Sequence, residues 1–135
     1  MAVAATETTS LITFTLPSTP SSVRMARFYV RAALTYHKLG DYSEDAVMVT
    51  SELATNAIKH TDGLKFGFEV IHLAASGAVA VIVTDPSPHP PVKRGLSEDT
   101  EHGRGLNIVE ALSASWGWRP KDPGKAVYAV LVRQA

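Results

Sequence analysis

Glu52, Asn56 and His60 recur at four-residue intervals within the segment SELATNAIKH. On a helix of 3.6 residues per turn, that spacing keeps three side chains on one slowly drifting stripe, each about 6 Å further along the axis. A carboxylate followed one turn later by a neutral amide can hold a metal-bound polyphosphate beside a base. The Asn56 side-chain oxygen suits the octahedral shell of Mg²⁺ and leaves room for water and phosphate oxygens. Glu52 could then take a proton from an attacking water or hydroxyl. Two segments further along the chain would complete a nucleotide site. Asp85 follows an apolar run and could accept a hydrogen bond from an exocyclic amine such as that of adenine. Gly103-Arg104-Gly105 opens a helical pattern, where glycine lets main-chain N–H groups approach phosphate at the positive helix end. Each pattern alone is weak, because polar residues recur at this spacing on any solvated helix face and aspartate before proline is a common turn former.

The elements that must position these residues follow from periodicity. Residues 1–10 read as a disordered tail of small and hydroxyl residues. Leu11 to Leu16 alternates Ile12, Phe14 and Leu16 with Thr13 and Thr15, which predicts an edge strand stopped by Pro17. Ser18 to Ser22 supplies cap and first-turn residues for a helix to about Lys38, with Pro20 suited to an early helical position and Gly40 as its end. Ser43 caps a second helix whose apolar face is Ala46, Val47, Thr50, Leu53, Ala54, Ala57 and Ile58. On that helix Glu52 lies opposite the apolar face and His60 drifts to its margin, as a histidine that caps or packs at the helix end. Thr61-Asp62-Gly63 makes a turn. Residues 64–73 and 78–84 read as paired strands, the second nearly all apolar and central. The stretch 86–102 holds Pro86, Pro88, Pro90 and Pro91 with little periodicity, as a functional lid would. A helix bearing Leu106, Val109 and Leu112 follows, then a strand over 113–119 with Trp116 and Trp118, a turn over 120–125 and a closing strand over 126–132. The order predicts an α+β fold: a two-layer α/β sandwich whose mixed, mostly antiparallel sheet is covered on one face by about three helices.

Composition narrows the function. The chain has 135 residues, which predicts one domain over 11–135 after the tail. Thirteen basic residues balance thirteen acidic ones, which argues against nucleic acid as a partner but not against a small anion held by local donors. Cysteine is absent, so disulfides, zinc fingers and thiol nucleophiles are excluded. The first ten residues carry no basic region and no long apolar run, and no segment approaches the roughly 20 apolar residues of a membrane span. The expectation is a cytoplasmic protein with no membrane partner.

Taken together, the segments resemble the GHKL family of ATPases and kinases, which has the Bergerat ATP-binding fold. Within it the chain is most similar to the small SpoIIAB/RsbW-like anti-sigma-factor serine/threonine kinases, of the stand-alone actinobacterial type. SELATNAIKH matches the family's N-box, VTDPSPHPP resembles its G1 box, and EHGRGLNIVEAL resembles its G2 box. WGWRP and GKAVYAVL stand where the family has its last two strands, so the resemblance covers about residues 11–133. It implies that Asn56 ligates Mg²⁺, that Glu52 is the catalytic base and that Asp85 binds the adenine amino group. Gly103, Arg104, Gly105 and Leu106 would line the ATP triphosphate beneath the lid. The implied partners are an anti-anti-sigma (STAS-domain) protein as phosphoacceptor and a sigma factor, and relatives of this type often form homodimers.

Two positions depart from the family pattern. Ser87 stands between two prolines where the family usually has glycine, and Ala126 stands near the position of a common threonine whose hydroxyl would reach the nucleotide. Lys93 and Arg94 read as solvated surface. The functional expectation is an ATP-dependent kinase that regulates transcription through its partners. The alternative is a regulatory module that binds ATP and sequesters a protein without phosphorylating it.

Overall fold

The computed structural model describes residues 7–59, 64–91 and 101–133, with side chains in the last stretch from Leu106 onward. In chain order the α-helices and strands are β1 (Thr8–Pro17), α1 (Pro20–Tyr36), α2 (Ser43–Lys59), β2 (Lys65–Leu73), β3 (Ala78–Asp85), α3 (Glu101–Leu112), β4 (Ser115–Lys121) and β5 (Gly124–Leu131), with one 3-10 turn, Gly40–Tyr42, before α2. The strands form one five-stranded sheet in the order β1-β2-β3-β5-β4. Every neighbouring pair is antiparallel, where a mixed, mostly antiparallel sheet was expected. The architecture is the expected α+β sandwich with its helices on one face of the sheet.

Strand periodicity explains the layering. Phe66, Phe68 and Val70 alternate along β2 and meet Val79, Val81 and Val83 of β3 and Val127, Ala129 and Leu131 of β5 in one core. Onto that face pack Val30 and Leu34 of α1, Val49, Leu53, Ala54 and Ala57 of α2, and Leu106 and Val109 of α3. The intervening residues point the other way. Glu69, Ile82, Tyr128 and Gly117 form a row across the outer face by strand register. Strand β3 has a neighbour on each side and is buried at Val79, Val81 and Val83, which is why it reads as an almost unbroken apolar run.

Three of the boundaries that differ from expectation do so for identifiable reasons. β1 begins at Thr8, since Thr8, Thr9 and Ser10 pair with Leu73, His72 and Ile71; these residues of the expected tail are strand. Helix α1 ends at Tyr36 and Gly40 does not cap it. Lys38 takes the left-handed conformation at φ 62°, with its N–H donating to the Thr35 carbonyl. The Leu39 N–H reaches the Leu34 carbonyl at 2.7 Å, and the buried Leu39 side chain covers the helix end. That double hydrogen bond with an apolar contact offsets the strain of a non-glycine residue at positive φ. The third difference lies at the last hairpin. β4 continues through Pro120 to Lys121, and only Asp122 and Pro123, joined by a cis peptide, form the turn. Pro120 is tolerated because β4 is an edge strand.

The tight hairpin brings the start of β5 against the end of β3. A Cβ at Gly124 would overlap the Asp85 carbonyl oxygen and the Pro86 main chain, so only glycine allows this approach. The expected turn at 61–63 and most of the expected lid lie outside the described residues. Among the described residues no helix is long and apolar enough to cross a membrane.

Leu34 is fully buried. Leu34→Ala should cost about 2–5 kcal/mol, seen as a lower denaturant midpoint with an unchanged slope. Gly124→Ala acts differently, because the obstructing atoms are backbone and cannot turn aside. It should lower the melting temperature and shift the amide resonances of Asp85 and Ser87, while those of β1, far across the sheet, stay in place.

Candidate functional site

Helix α2 carries the first half of the site. Its first turn places Glu44 and Asp45 at the positive helix end, and Lys59 stands in its last turn. Ala46, Val49, Thr50, Leu53, Ala54 and Ala57 are buried, which fixes the helix rotation. Met48, Glu52 and Asn56 lie on one stripe at four-residue spacing. Met48 is exposed, whereas Glu52 and Asn56 are half-buried. The stripe therefore sinks from solvent toward the interior along the helix, on a helix that also packs against α3. Glu52 is thus less open than its position opposite the apolar face implied. An amide oxygen there can ligate a hard cation, and a half-buried carboxylate one turn earlier can accept a proton.

The end of β3 carries the second half. Strand alternation turns Asp85 toward the helix side of the sheet, two residues beyond Val83, and the residue is 6% exposed. Its partner across the ladder is Lys125 of β5, also buried. The Lys125 Nζ lies 3.0 Å from Asp85 Oδ1. The Ser87 N–H donates to the same Oδ1 at 2.8 Å, and Nζ also donates to the Ser87 carbonyl at 3.3 Å. Ser87 Oγ in turn accepts from the His89 N–H at 3.3 Å. The turn after β3 is therefore held by a carboxylate, an ammonium and a serine hydroxyl.

Lys125 was not anticipated from the sequence, although a lysine entering an otherwise apolar strand was a signal. The expected turn over 120–125 had hidden it. The same register places Ala126. It pairs with Thr84 on the opposite face from Asp85, so the side chain beside the Asp85 carboxylate belongs to Lys125. A hydroxyl at position 126 would stand on the side of the sheet opposite the Asp85 carboxylate.

The third expected segment sits later in its helix than predicted. Helix α3 starts at Glu101, so Gly103, Arg104 and Gly105 fall inside its first turns and do not precede it. Leu106 is 1% exposed and belongs to the core cluster, where its side chain anchors α3. His60, Lys93 and Arg94 lie outside the described residues. Trp116 and Trp118, two apart on β4, share the helix-side face; Trp116 packs on the core and Trp118 is exposed. Among the described residues no cluster of three or more His, Asp or Glu could hold a metal ion. A cation seated at Asn56 would accordingly draw most of its shell from ligand oxygens and water, which is how Mg²⁺ commonly binds beside phosphates.

No curated protein matches the chain. Among solved structures, the crystal structure of the RsbU and RsbW domains of Rv1364c from Mycobacterium tuberculosis superposes with a TM-score of 0.67 at 22% identity. The match covers 96% of this chain and 34% of that one, so this chain spans about a third of its length. At that identity the likeness is one of fold. Residues 16–131 match the family model described as a histidine kinase-like ATPase domain. That span takes in α1 through β5 with both the Glu52/Asn56 stripe and the Asp85 turn, and the chain belongs to the histidine kinase-like ATPase domain family.

Proposed function

We propose that this protein binds Mg-ATP between α2 and the Asp85 end of β3, and transfers the γ-phosphoryl group to a serine or threonine of an anti-anti-sigma (STAS-domain) protein. In the same reading it sequesters a sigma factor when that partner is absent, and so regulates transcription from the cytoplasm. The observation that carries the proposal is the buried Asp85 carboxylate at the end of a central strand that α2 crosses with Glu52 and Asn56 half-buried. The family match over 16–131 and the fold shared with an RsbW domain support it.

Each residue has a task in that chemistry. Asp85 accepts the exocyclic amine of adenine, a contact that rejects a base with a carbonyl there. Asn56 presents its amide oxygen to Mg²⁺, which would neutralise charge on the phosphate oxygens when bound. The main chain at Gly103, Arg104 and Gly105 borders the triphosphate. Glu52 takes the proton from the acceptor hydroxyl as its oxygen bonds to the γ-phosphorus and the bond to the bridging oxygen breaks, releasing ADP.

A second reading, a regulator that holds ATP without transferring phosphate, is favoured by one feature. Ser87 replaces the usual glycine and is fastened by three hydrogen bonds, which stiffens a turn next to the nucleotide.

Incubating the protein with Mg-ATP and a STAS-domain protein encoded beside it should yield phosphoserine or phosphothreonine on that partner. ATP binding without transfer to any such partner would select the second reading, and no binding at millimolar ATP and Mg²⁺ would defeat both. Glu52→Gln should keep ATP affinity and slow transfer by about 10²–10⁴-fold. Asn56→Ala should bring ATP affinity in Mg²⁺ down to the magnesium-free value, as calorimetry with and without EDTA would show.

A further inference from the structure

We propose that Lys125 is the positioning residue for base recognition: its ammonium fixes the Asp85 carboxylate so that Oδ2 is presented to an exocyclic amine. The proposal rests on the nucleotide-binding reading above and goes beyond it, since neither the family pattern nor the residues first singled out include Lys125.

Three observations lead to it. The first is geometric. Both donors, the Lys125 Nζ at 3.0 Å and the Ser87 N–H at 2.8 Å, converge on Oδ1. A carboxylate gripped at one oxygen cannot exchange its two oxygens by rotation, so the other keeps a constant direction. The second is electrostatic. The pair is buried, with the Lys125 and Asp85 side chains only 5% and 3% exposed. A lone buried carboxylate would repel a polyanionic triphosphate nearby, whereas a paired one takes a neutral amine without adding net charge to the site. The third concerns what the pair is for. Burying two ions is a poor route to stability compared with an apolar pair of similar size. The positions that follow it on the same face of β5, Val127, Ala129 and Leu131, are all apolar. A lysine at this one position therefore points to recognition. Its bond to the Ser87 carbonyl extends the same grip to the turn that would border the base.

The test compares ATP with purine riboside triphosphate, which lacks only the 6-amino group, by calorimetry in the presence of Mg²⁺. The wild-type protein should prefer ATP by about tenfold or more, as expected for a hydrogen bond to a charged acceptor. Lys125→Met, which keeps side-chain length and removes the charge, should bring that ratio close to one. Lys125→Leu, which removes every donor at this position, should lose the preference likewise and serves if the methionine variant does not fold. A folded variant that binds both nucleotides more weakly by the same factor would make Lys125 a structural clasp and overturn the proposal. Equal wild-type affinity for the two nucleotides would also overturn it while leaving nucleotide binding intact. Absence of any wild-type binding would remove the nucleotide reading itself.

Discussion

Helix α2 lies across the centre of the sheet, and its burial of Leu53, Ala54 and Ala57 against the valines of β3 decides where Glu52 and Asn56 can stand. The small residues in that face let the helix approach closely, and the close approach fixes its rotation. With the rotation fixed, the stripe through Glu52 and Asn56 cannot lie fully in solvent. It runs along the flank of a helix that also packs on α3, so carboxylate and amide are held half-buried by apolar contacts made elsewhere. This polar stripe is thus positioned by residues that have no chemistry of their own.

The same one-sided core imposes a cost at the end of β3. Alternation carries Asp85 onto the helix face, where Phe66, Val83 and Val127 exclude water. An ionised side chain in such surroundings needs a partner, and the antiparallel ladder supplies Lys125 directly opposite. This arrangement depends on main-chain proximity. Gly124 lets β5 lie against Asp85 and Pro86, and the two-residue turn after β4 leaves no slack in the hairpin. Charge pairing, a glycine without a side chain and a short turn therefore act together.

The sheet's two faces divide the labour. One face carries the core and, at its margin, the Asp85–Lys125 pair. The other is half-exposed and carries Tyr128 with Arg119 over its ring at 5.7 Å, together with the Ser10–Glu69 hydrogen bond. Because consecutive strand residues face opposite ways, a shift of one position separates a group in the site from a group outside it. Lys125 and Ala126 are the example: neighbours in the chain, on opposite sides of the sheet.

Most of the architecture was legible from periodicity. The alternation in β1, the apolar run of β3 and the apolar face of α2 each report a local pattern whose period is set by backbone geometry. The spacing of Glu52 and Asn56 and the place of Asp85 after its strand were legible for the same reason. What escaped were features settled by contacts distant in sequence. Lys38 rather than Gly40 turns the end of α1, because the burial of Leu39 outweighs the local preference for glycine. Thr8 to Ser10 become strand only because β2 offers an edge to pair with. Pro120 stays in β4 because that strand has a free side. The amino-acid order alone determined the central part of each helix and strand and which residue types could do chemistry. The tertiary structure decided which of them meet: the pairing of Asp85 with Lys125 joins positions forty residues apart through the β3–β5 register, and register is a property of two strands together, readable in neither alone.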